Sequence, residues 1–285
     1  MSDQAVPLSC FIIAKDEEDR IGMTIESVRG LASDILVVDS GSTDRTVAIA
    51  EALGARVLFR EWEGFGPQKV FAEEACEHDW ILTLDADEPI SSALQTEIEG
   101  LLKSGRIADA DYYWVRLTTL FAFEEKPPWH AFRARRIKLY NRSKARFSDS
   151  LVHDDVLPGE GARAGKLTGE IHHYSQRSLE QQTAKLNAYS DLQLRDLKAR
   201  GKRLPAYRIV TEFPLAFLKA YFHRRHCFYG LWGIVISILY AYSRFLRVAK
   251  AYEAERNQKS DAPYARVLSG RASEKERSIK EEDPQ

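Results

Sequence analysis

Two aspartates separated by one residue are the clearest candidates for chemistry in this sequence. The run Leu82–Glu88 reads LTLDADE, so Asp85 and Asp87 stand at the end of a predicted strand, Trp80–Asp85. Side chains alternate along an extended chain, which turns both carboxylates to the same side. Two carboxylates held close repel each other unless a cation lies beside them, and hard divalent ions take oxygen ligands. We therefore predict a divalent metal site, Mn²⁺ or Mg²⁺, at Asp85 and Asp87, able to bridge the phosphates of a nucleotide.

Acidic residues follow two further apolar segments. Asp39 ends the run DILVVD and is followed by SGSTDRT, in which Gly41 allows a tight turn and Ser42 can cap the next helix. Residues 15–18 (KDEE) follow the apolar run Leu8–Ala14. The carboxyl ends of parallel strands meet at one edge of a sheet, where ligands bind. An ordinary strand–turn–helix junction explains each segment alone, whereas the three together predict one acidic edge that holds a ligand.

The elements that position these residues alternate between strands and helices. The predicted strands are Leu8–Ala14, Asp34–Asp39, Ala55–Phe59 and Trp80–Asp85, and the predicted helices are Arg20–Leu31, Thr43–Leu53 and Gln68–Glu77. This alternation predicts an α/β fold with a parallel sheet. After Gly105 the pattern changes to isolated strands, Tyr112–Leu117 and Arg136–Tyr140, with long loops between them. Ser178–Arg200 has the spacing of an amphipathic helix.

Composition narrows the class of protein. The 285 residues are 44% hydrophobic and 29% charged, which is typical of a globular protein, and the formal net charge of −1 argues against a nucleic-acid partner. Three widely separated cysteines in apolar surroundings indicate reduced core residues, and Met1–Ser9 lacks the pattern of a secretory signal. We therefore expect a cytoplasmic catalytic domain.

The three acidic motifs resemble those of the inverting glycosyltransferases of family 2, which have the nucleotide-sugar-binding GT-A fold with a mixed sheet and flanking helices. Ala14–Glu17 is similar to the family's first-strand turn, Asp39–Thr46 to its Asp-x-Gly-Ser-x-Asp turn, and Asp85–Asp87 to its Asp-x-Asp. The resemblance implies a UDP-sugar donor and a divalent metal on Asp87, with Asp85. The implied nucleotide-sugar contacts are Ala14, Glu17, Asp39, Ser42, Asp85 and Ala86. The basic residue Lys69 is predicted to join them.

A narrower resemblance, to lipopolysaccharide core glucosyltransferases of the bacterial inner membrane, rests on LDADEPIS, LVHDDV and Ile171–Arg203. It implies glucose as the sugar and a lipid-linked saccharide as the acceptor. In that branch an acid follows a Val-His pair. Here Asp154 occupies the position where Glu is usual, so the predicted base is Asp154, with Asp155 as the alternative. The candidate acceptor or phosphate ligands are Trp129, Arg133, Arg136 and His153. A zinc site at His153, His172 and His173 is disfavoured because suitably spaced further ligands are missing.

The C-terminal third carries a membrane signal. Between Ala206 and Tyr252 there are seven basic residues against one acid, Glu212, and many aromatic residues. The uncharged run Phe228–Tyr242 is shorter than the roughly 20 residues that a spanning helix needs. We expect peripheral attachment to anionic lipids at the cytoplasmic face of the inner membrane. The alternative is that a pair of helices packs on the catalytic domain and buries Phe228–Tyr242.

The predicted organisation has three parts. Residues 1–175 form the catalytic domain, with a nucleotide-binding half at 1–105 and an acceptor half at 106–175. Residues 176–255 form a helical membrane-associating region, and residues 256–285 a disordered charged tail. Two other functions stay open: a polyprenyl-phosphate glycosyltransferase, and a non-catalytic nucleotide-sugar-binding membrane scaffold.

Overall fold

The computed structural model describes residues 5–148, 155–174, 176–202 and 204–260, together with 262, 264 and 266. Two compact units divide the chain, Met1–Arg177 and Ser178–Gln285. The division lies close to residue 175, the predicted end of the catalytic domain. Each unit is considered by itself below.

The N-terminal unit is built on a seven-stranded sheet with the strand order β3-β2-β1-β4-β6-β5-β9. Its strands are β1 (Leu8–Ala14), β2 (Asp34–Asp39), β3 (Arg56–Phe59), β4 (Trp80–Asp85), β5 (Tyr112–Thr119), β6 (Arg133–Asn141) and β9 (Ala164–His173). The first four are parallel, and β6 runs antiparallel to both of its neighbours, β4 and β5. Because β5 is parallel to β9, the C-terminal ends of β1, β2, β4, β5 and β9 share one edge of the sheet. A separate ribbon pairs β7 (Ala145–Phe147) with β8 (Val156–Pro158).

Helices cover both faces of this sheet, so its central strands are mainly apolar and are buried along nearly their whole length. All seven residues of β1 are buried. The helices are α1 (Ile21–Val28), α2 (Thr46–Ala52), α3 (Phe65–Ala75) and α4 (Ser92–Ser104). One core contains Ile12, Leu82 and Leu94, and the other contains Phe11, Leu36 and Ile81. The alternation predicted from the sequence is therefore confirmed for the parallel half of the sheet.

The acceptor half departs from its predicted outline. Both predicted strands are present and longer than expected, as β5 and β6. The sequence interpretation missed α4 and the ten-residue strand β9, which closes the sheet beside β5. At Gly169 of β9, an added Cβ would lie 2.4 Å from the Cα of Leu94, so the missing side chain allows α4 to pack directly on this strand.

The C-terminal unit is helical. It contains α5 (Leu179–Ala199), α6 (Arg208–Leu218) and α7 (Gly230–Lys259), with a π-helical turn Lys219–His223 after α6. Because α7 runs to Lys259, the prediction of disorder from residue 256 is wrong for its first four residues, and 267–285 lie outside the described residues. Among the described residues, one helical stretch, His226–Lys259, has the length and apolar composition to cross a membrane, and 28% of its most apolar part is buried.

Candidate active site

The turns that follow β1 and β2 are joined by reciprocal hydrogen bonds. The backbone N–H of Asp16 donates to Ser42 Oγ at 2.9 Å, and the N–H of Thr43 donates to Asp16 Oδ1 at 2.8 Å. Asp39 accepts from the N–H groups of Gly41 and Ser42 at 2.8 and 2.9 Å. Backbone donors therefore compensate the charge of Asp39, and the two turns form one stiff platform at the carboxyl edge of the sheet.

Glu17, predicted to contact the nucleotide, lies between two arginines. Its Oε2 accepts from Arg20 Nη2 and from Arg177 Nη2, each at 2.6 Å. Arg177 also pairs with Asp19. Burial raises the pKa of Glu17, and the two guanidiniums act against that rise. Arg20 and Arg177 thus hold the acidic edge together, and the sequence analysis placed neither of these two arginines in the site.

Asp87 connects this arginine network to the end of β9. Its Oδ2 lies 3.3 Å from Arg20 Nη1 and 3.6 Å from His173 Nε2. The backbone fixes this arrangement, since the N–H of Tyr174 donates to the carbonyl of Asp87 at 3.0 Å and Arg20 Nη1 donates to the carbonyl of Tyr174 at 2.7 Å. Asp87 is buried, at 7% exposure, so its carboxylate is largely shielded from solvent.

Asp85 belongs to a second set of charges. Its Oδ1 lies 2.9 Å from the Nζ of Lys69, which is only 2% exposed. Next to it, the buried pair of Glu88 and Lys138 is joined by a short ion pair, and Glu88 Oε2 accepts from the N–H of Asp85 at 3.0 Å. Burial alone would raise the pKa of Asp85, but Lys69 and Lys138 outweigh it and hold that pKa well below its usual range. Asp85 is therefore a carboxylate at neutral pH.

A cavity of about 480 Å³ opens beside this second set. Its wall includes Asp85, Lys69, Lys138, Arg136, Asp155 and His173, together with Trp114, Phe147 and other apolar groups. Among the sequence-predicted residues, Asp85, Lys69 and Arg136 meet here, as does Asp155, the alternative base. Asp39 and Ser42 lie in the turn after β2 and are not part of this wall. His173 both lines the cavity and faces Asp87, so it links the two carboxylates of the Asp-x-Asp run.

Other predicted site residues have mainly structural contacts. Arg133 pairs with Glu170 at 3.1 Å and donates to carbonyl groups of the loop after β5. Ala14 and Ala86 are buried, and each offers its carbonyl oxygen to a neighbouring turn or helix. Trp129 is 67% exposed in the loop that joins β5 to β6. His153 and Asp154 lie outside the described residues.

The donor set around Asp87 suits a divalent ion that also has substrate ligands. Among the described residues, no group of three or more His, Cys, Asp or Glu side chains is arranged to hold an ion alone. Asp87 and His173 supply one carboxylate oxygen and one imidazole nitrogen at adjacent positions. Mg²⁺ and similar ions are commonly held by one or two protein ligands together with substrate phosphates, and imidazole is a common metal ligand. The sequence analysis considered His173 only as a zinc ligand and set it aside, and no strand was predicted that would bring it to the Asp-x-Asp edge.

Comparison with known proteins agrees with this arrangement. The model of the family described as "Glycosyl transferase family 2" matches residues 9–153, about half of the chain, including the three acidic motifs. The protein is a member of glycosyl transferase family 2. It is therefore a transferase, and its mixed sheet with flanking helices is the GT-A fold.

Relatives extend the similarity beyond the family domain. An uncharacterized glycosyltransferase of Rickettsia conorii is 40% identical over 260 residues, which cover 89% of this chain and 92% of the relative. The lipopolysaccharide core biosynthesis glycosyltransferase LpsC of Rhizobium meliloti is 33% identical over 256 residues, with coverage of 87% and 93%. Among solved structures, glucosyl-3-phosphoglycerate synthase from Mycobacterium tuberculosis, in complex with Mn²⁺, UDP and glucosyl-3-phosphoglycerate, is 16% identical with a TM-score of 0.42, covering 70% of this chain and 81% of that one. At these coverages both alignments must include most of the C-terminal helical unit.

Proposed function

We propose that this family 2 glycosyltransferase moves a sugar, glucose by resemblance, from a UDP-sugar to a lipid-linked saccharide of the lipopolysaccharide core, with inversion at the anomeric carbon. The observation that carries the proposal is His173, which lines the cavity and stands 3.6 Å from Asp87. His173 thus stands between the cavity, which can take the reacting sugar, and a carboxylate that can hold a metal–diphosphate group. The Rhizobium meliloti relative, a glycosyltransferase of lipopolysaccharide core biosynthesis, supports the acceptor class.

The donor half of the proposed site is the edge formed by Asp87, His173 and the arginines beside Glu17. A divalent ion held by Asp87 and His173 would offset the negative charge that the departing diphosphate gains. Arg20 lies 3.3 Å from the same carboxylate oxygen, so a cationic group already stands at this point of the edge. Lys69 and Asp85 give the cavity floor a fixed ion pair against which the sugar hydroxyls can be oriented.

Inversion needs a single displacement. The acceptor oxygen forms the new bond to the anomeric carbon, the bond from that carbon to the diphosphate breaks, and a base takes the acceptor proton. We assign the base to Asp154 by resemblance. Its neighbour Asp155 is exposed and lines the cavity.

Membrane attachment explains how such a domain would reach a lipid-linked acceptor. Several large apolar side chains of the C-terminal unit are exposed, including Leu231 at 83% and Leu215 at 63%. The same helices carry the excess of basic residues. All three cysteines are free thiols, which suits the cytoplasmic face of the inner membrane.

The deciding experiment measures UDP release from UDP-glucose by the purified full chain, with Mn²⁺ or Mg²⁺, against a truncated core saccharide on lipid A. We expect turnover that EDTA abolishes and added metal restores. Undecaprenyl phosphate tested alone separates the rival reaction, because activity with it, and none with the core acceptor, would assign the protein to polyprenyl-phosphate glycosylation. Donor binding without turnover on either acceptor would instead indicate the non-catalytic scaffold.

A further inference from the structure

An arginine cluster joins α6 to α7 in the C-terminal unit. Glu212 Oε2 accepts from Arg208 Nε at 2.9 Å, and its Oε1 lies 3.2 Å from Arg244 Nε and 3.4 Å from Arg247 Nη2. Glu212 is 9% exposed, and one carboxylate therefore faces three guanidiniums. An excess of two positive charges remains.

The excess is not neutralised within the cluster. Arg247 has a side chain that is 16% exposed, and its Nε is buried without a hydrogen-bond partner among the described residues. Burial and the neighbouring charges of Arg244 and Arg208 lower the pKa of Arg247, which Glu212 only partly opposes. On α5, Asp191 is bound to Lys250 at 2.5 Å. A buried guanidinium donor with surplus positive charge around it is an arrangement that an anion completes.

The surroundings of the cluster indicate which anion. On α6 and the π-helical turn, Leu215, Leu218 and Phe222 are exposed at the spacing i, i+3, i+7, and Leu231, Ile234 and Ile238 repeat that spacing on α7. Both apolar stripes belong to the two helices that supply the arginines. Arg244 is 40% exposed, so the cluster is open to a ligand from outside. Apolar surface beside a basic cluster is what an amphiphile with a phosphate head contacts.

We propose that Arg208, Arg244 and Arg247, arranged around Glu212, bind the phosphate group of a membrane lipid. The guanidinium fork matches phosphate oxygens in a way that an ammonium group does not, and Glu212 keeps the three cations in place when no phosphate is bound. This proposal rests on the proposed membrane attachment and specifies which residues bind the lipid phosphate.

The test is flotation of the full chain with vesicles of phosphatidylcholine alone or in an equimolar mixture with phosphatidylglycerol. Arg244→Lys keeps the charge and removes the fork, and should weaken binding to the mixed vesicles roughly tenfold. Arg256→Lys, the same substitution elsewhere on α7 where the guanidinium lies over Tyr252, should bind as wild type does. Glu212→Gln removes the competing carboxylate and should strengthen binding, whereas a role limited to fastening α6 to α7 predicts no gain.

Equal binding by Arg244→Lys and Arg256→Lys would overturn the site while leaving membrane attachment intact. Absence of flotation by the wild type would contradict both the phosphate site and the membrane attachment. If Glu212→Gln does not fold, as judged by circular dichroism, the comparison of the two lysine variants decides alone. Release of the wild type by inorganic phosphate, at a concentration equal to that of the lipid headgroups, would assign the cluster to free phosphate and overturn the lipid assignment.

Discussion

The Nε2 of His173 lies 3.6 Å from the Oδ2 of Asp87, although the two residues come from β9 and from the turn after β4. The antiparallel strand β6 and its partner β5 separate these strands in the sheet. The hydrogen bond from Tyr174 N–H to the carbonyl of Asp87 holds the segment after β9 against that turn. The sheet therefore brings an imidazole from the acceptor half to a carboxylate from the nucleotide-binding half.

The first prediction concerns this pair as metal ligands. His173→Ala should raise the Mn²⁺ concentration needed for half-maximal activity by at least about tenfold, because a metal site that loses one of two protein ligands depends more on the substrate phosphates. Asp87→Ala should abolish metal-dependent donor binding, measured by calorimetry with UDP and Mn²⁺. His172→Ala is the matched control, since it removes the neighbouring imidazole. An equal metal requirement in the two histidine variants would show that His173 is not a ligand.

A second prediction concerns the ion pair on the cavity floor. Lys69 is 2% exposed, whereas the side chain of Asp85 is 35% exposed and faces the cavity. Asp85→Asn removes the carboxylate that lies beside the buried Lys69 cation and should lower the free energy of unfolding by about 3 kcal/mol or more. Lys69→Met should cost less, because water in the cavity can solvate the remaining carboxylate.

Denaturant unfolding of both single variants and the double variant checks this order. The double variant should be more stable than Asp85→Asn alone, since the buried cation is then removed together with the carboxylate. Additive losses would mean that the two charges do not interact in solution. Donor affinity measured on folded variants then separates a role in binding from a role in stability.

The nucleotide-binding half could be predicted closely because its signal is local. The apolar runs Leu8–Ala14, Asp34–Asp39 and Trp80–Asp85 are buried strands, and the residues that follow them lie at the predicted edge. The partners of these acids could not be predicted in the same way. Arg20 lies only three residues after Glu17, but Arg177 comes from the far end of the unit and reaches Glu17 only through the fold. The pairing of Lys69 with Asp85 likewise depends on how α3 lies against the sheet.

The acceptor half was predicted less well because β9 has a weak pattern. Its residues AGKLTGEIHH mix charged and apolar side chains, and only Leu167, Gly169 and Ile171 are buried. Half-exposed strands of this kind resemble loops in sequence. Without β9, His173 had no defined position, and the sequence offered no reason to place it beside Asp87.

A third prediction separates the two candidate bases. Asp154→Asn should reduce the rate of transfer by roughly 10²-fold or more while leaving UDP binding unchanged, since a general base acts on the acceptor. Asp155→Asn is the matched neighbour and should retain most of the activity. Steady-state UDP release, together with calorimetric UDP affinity, provides both readouts. If Asp155→Asn loses the activity and Asp154→Asn keeps it, the roles are exchanged, and loss of UDP affinity in Asp154→Asn would place that residue at the donor.

The last prediction concerns pH and the C-terminal unit. His226 lies at the start of the turn before α7, with its Nδ1 3.1 Å from Ser237 Oγ, and burial together with Arg224 lowers its pKa from 6.5 to about 4. A histidine whose pKa is lowered by folding contributes stability that is present above its unfolded pKa and is lost as the pH falls towards its folded pKa. Hydrogen exchange in α6 and α7 should therefore quicken, after correction for the intrinsic rate, between about pH 6.5 and about pH 4. His226→Gln, which cannot titrate, should lose this pH dependence, whereas His78→Gln in the N-terminal unit should keep it. A pH dependence that persists in His226→Gln would assign the effect to other groups of the unit.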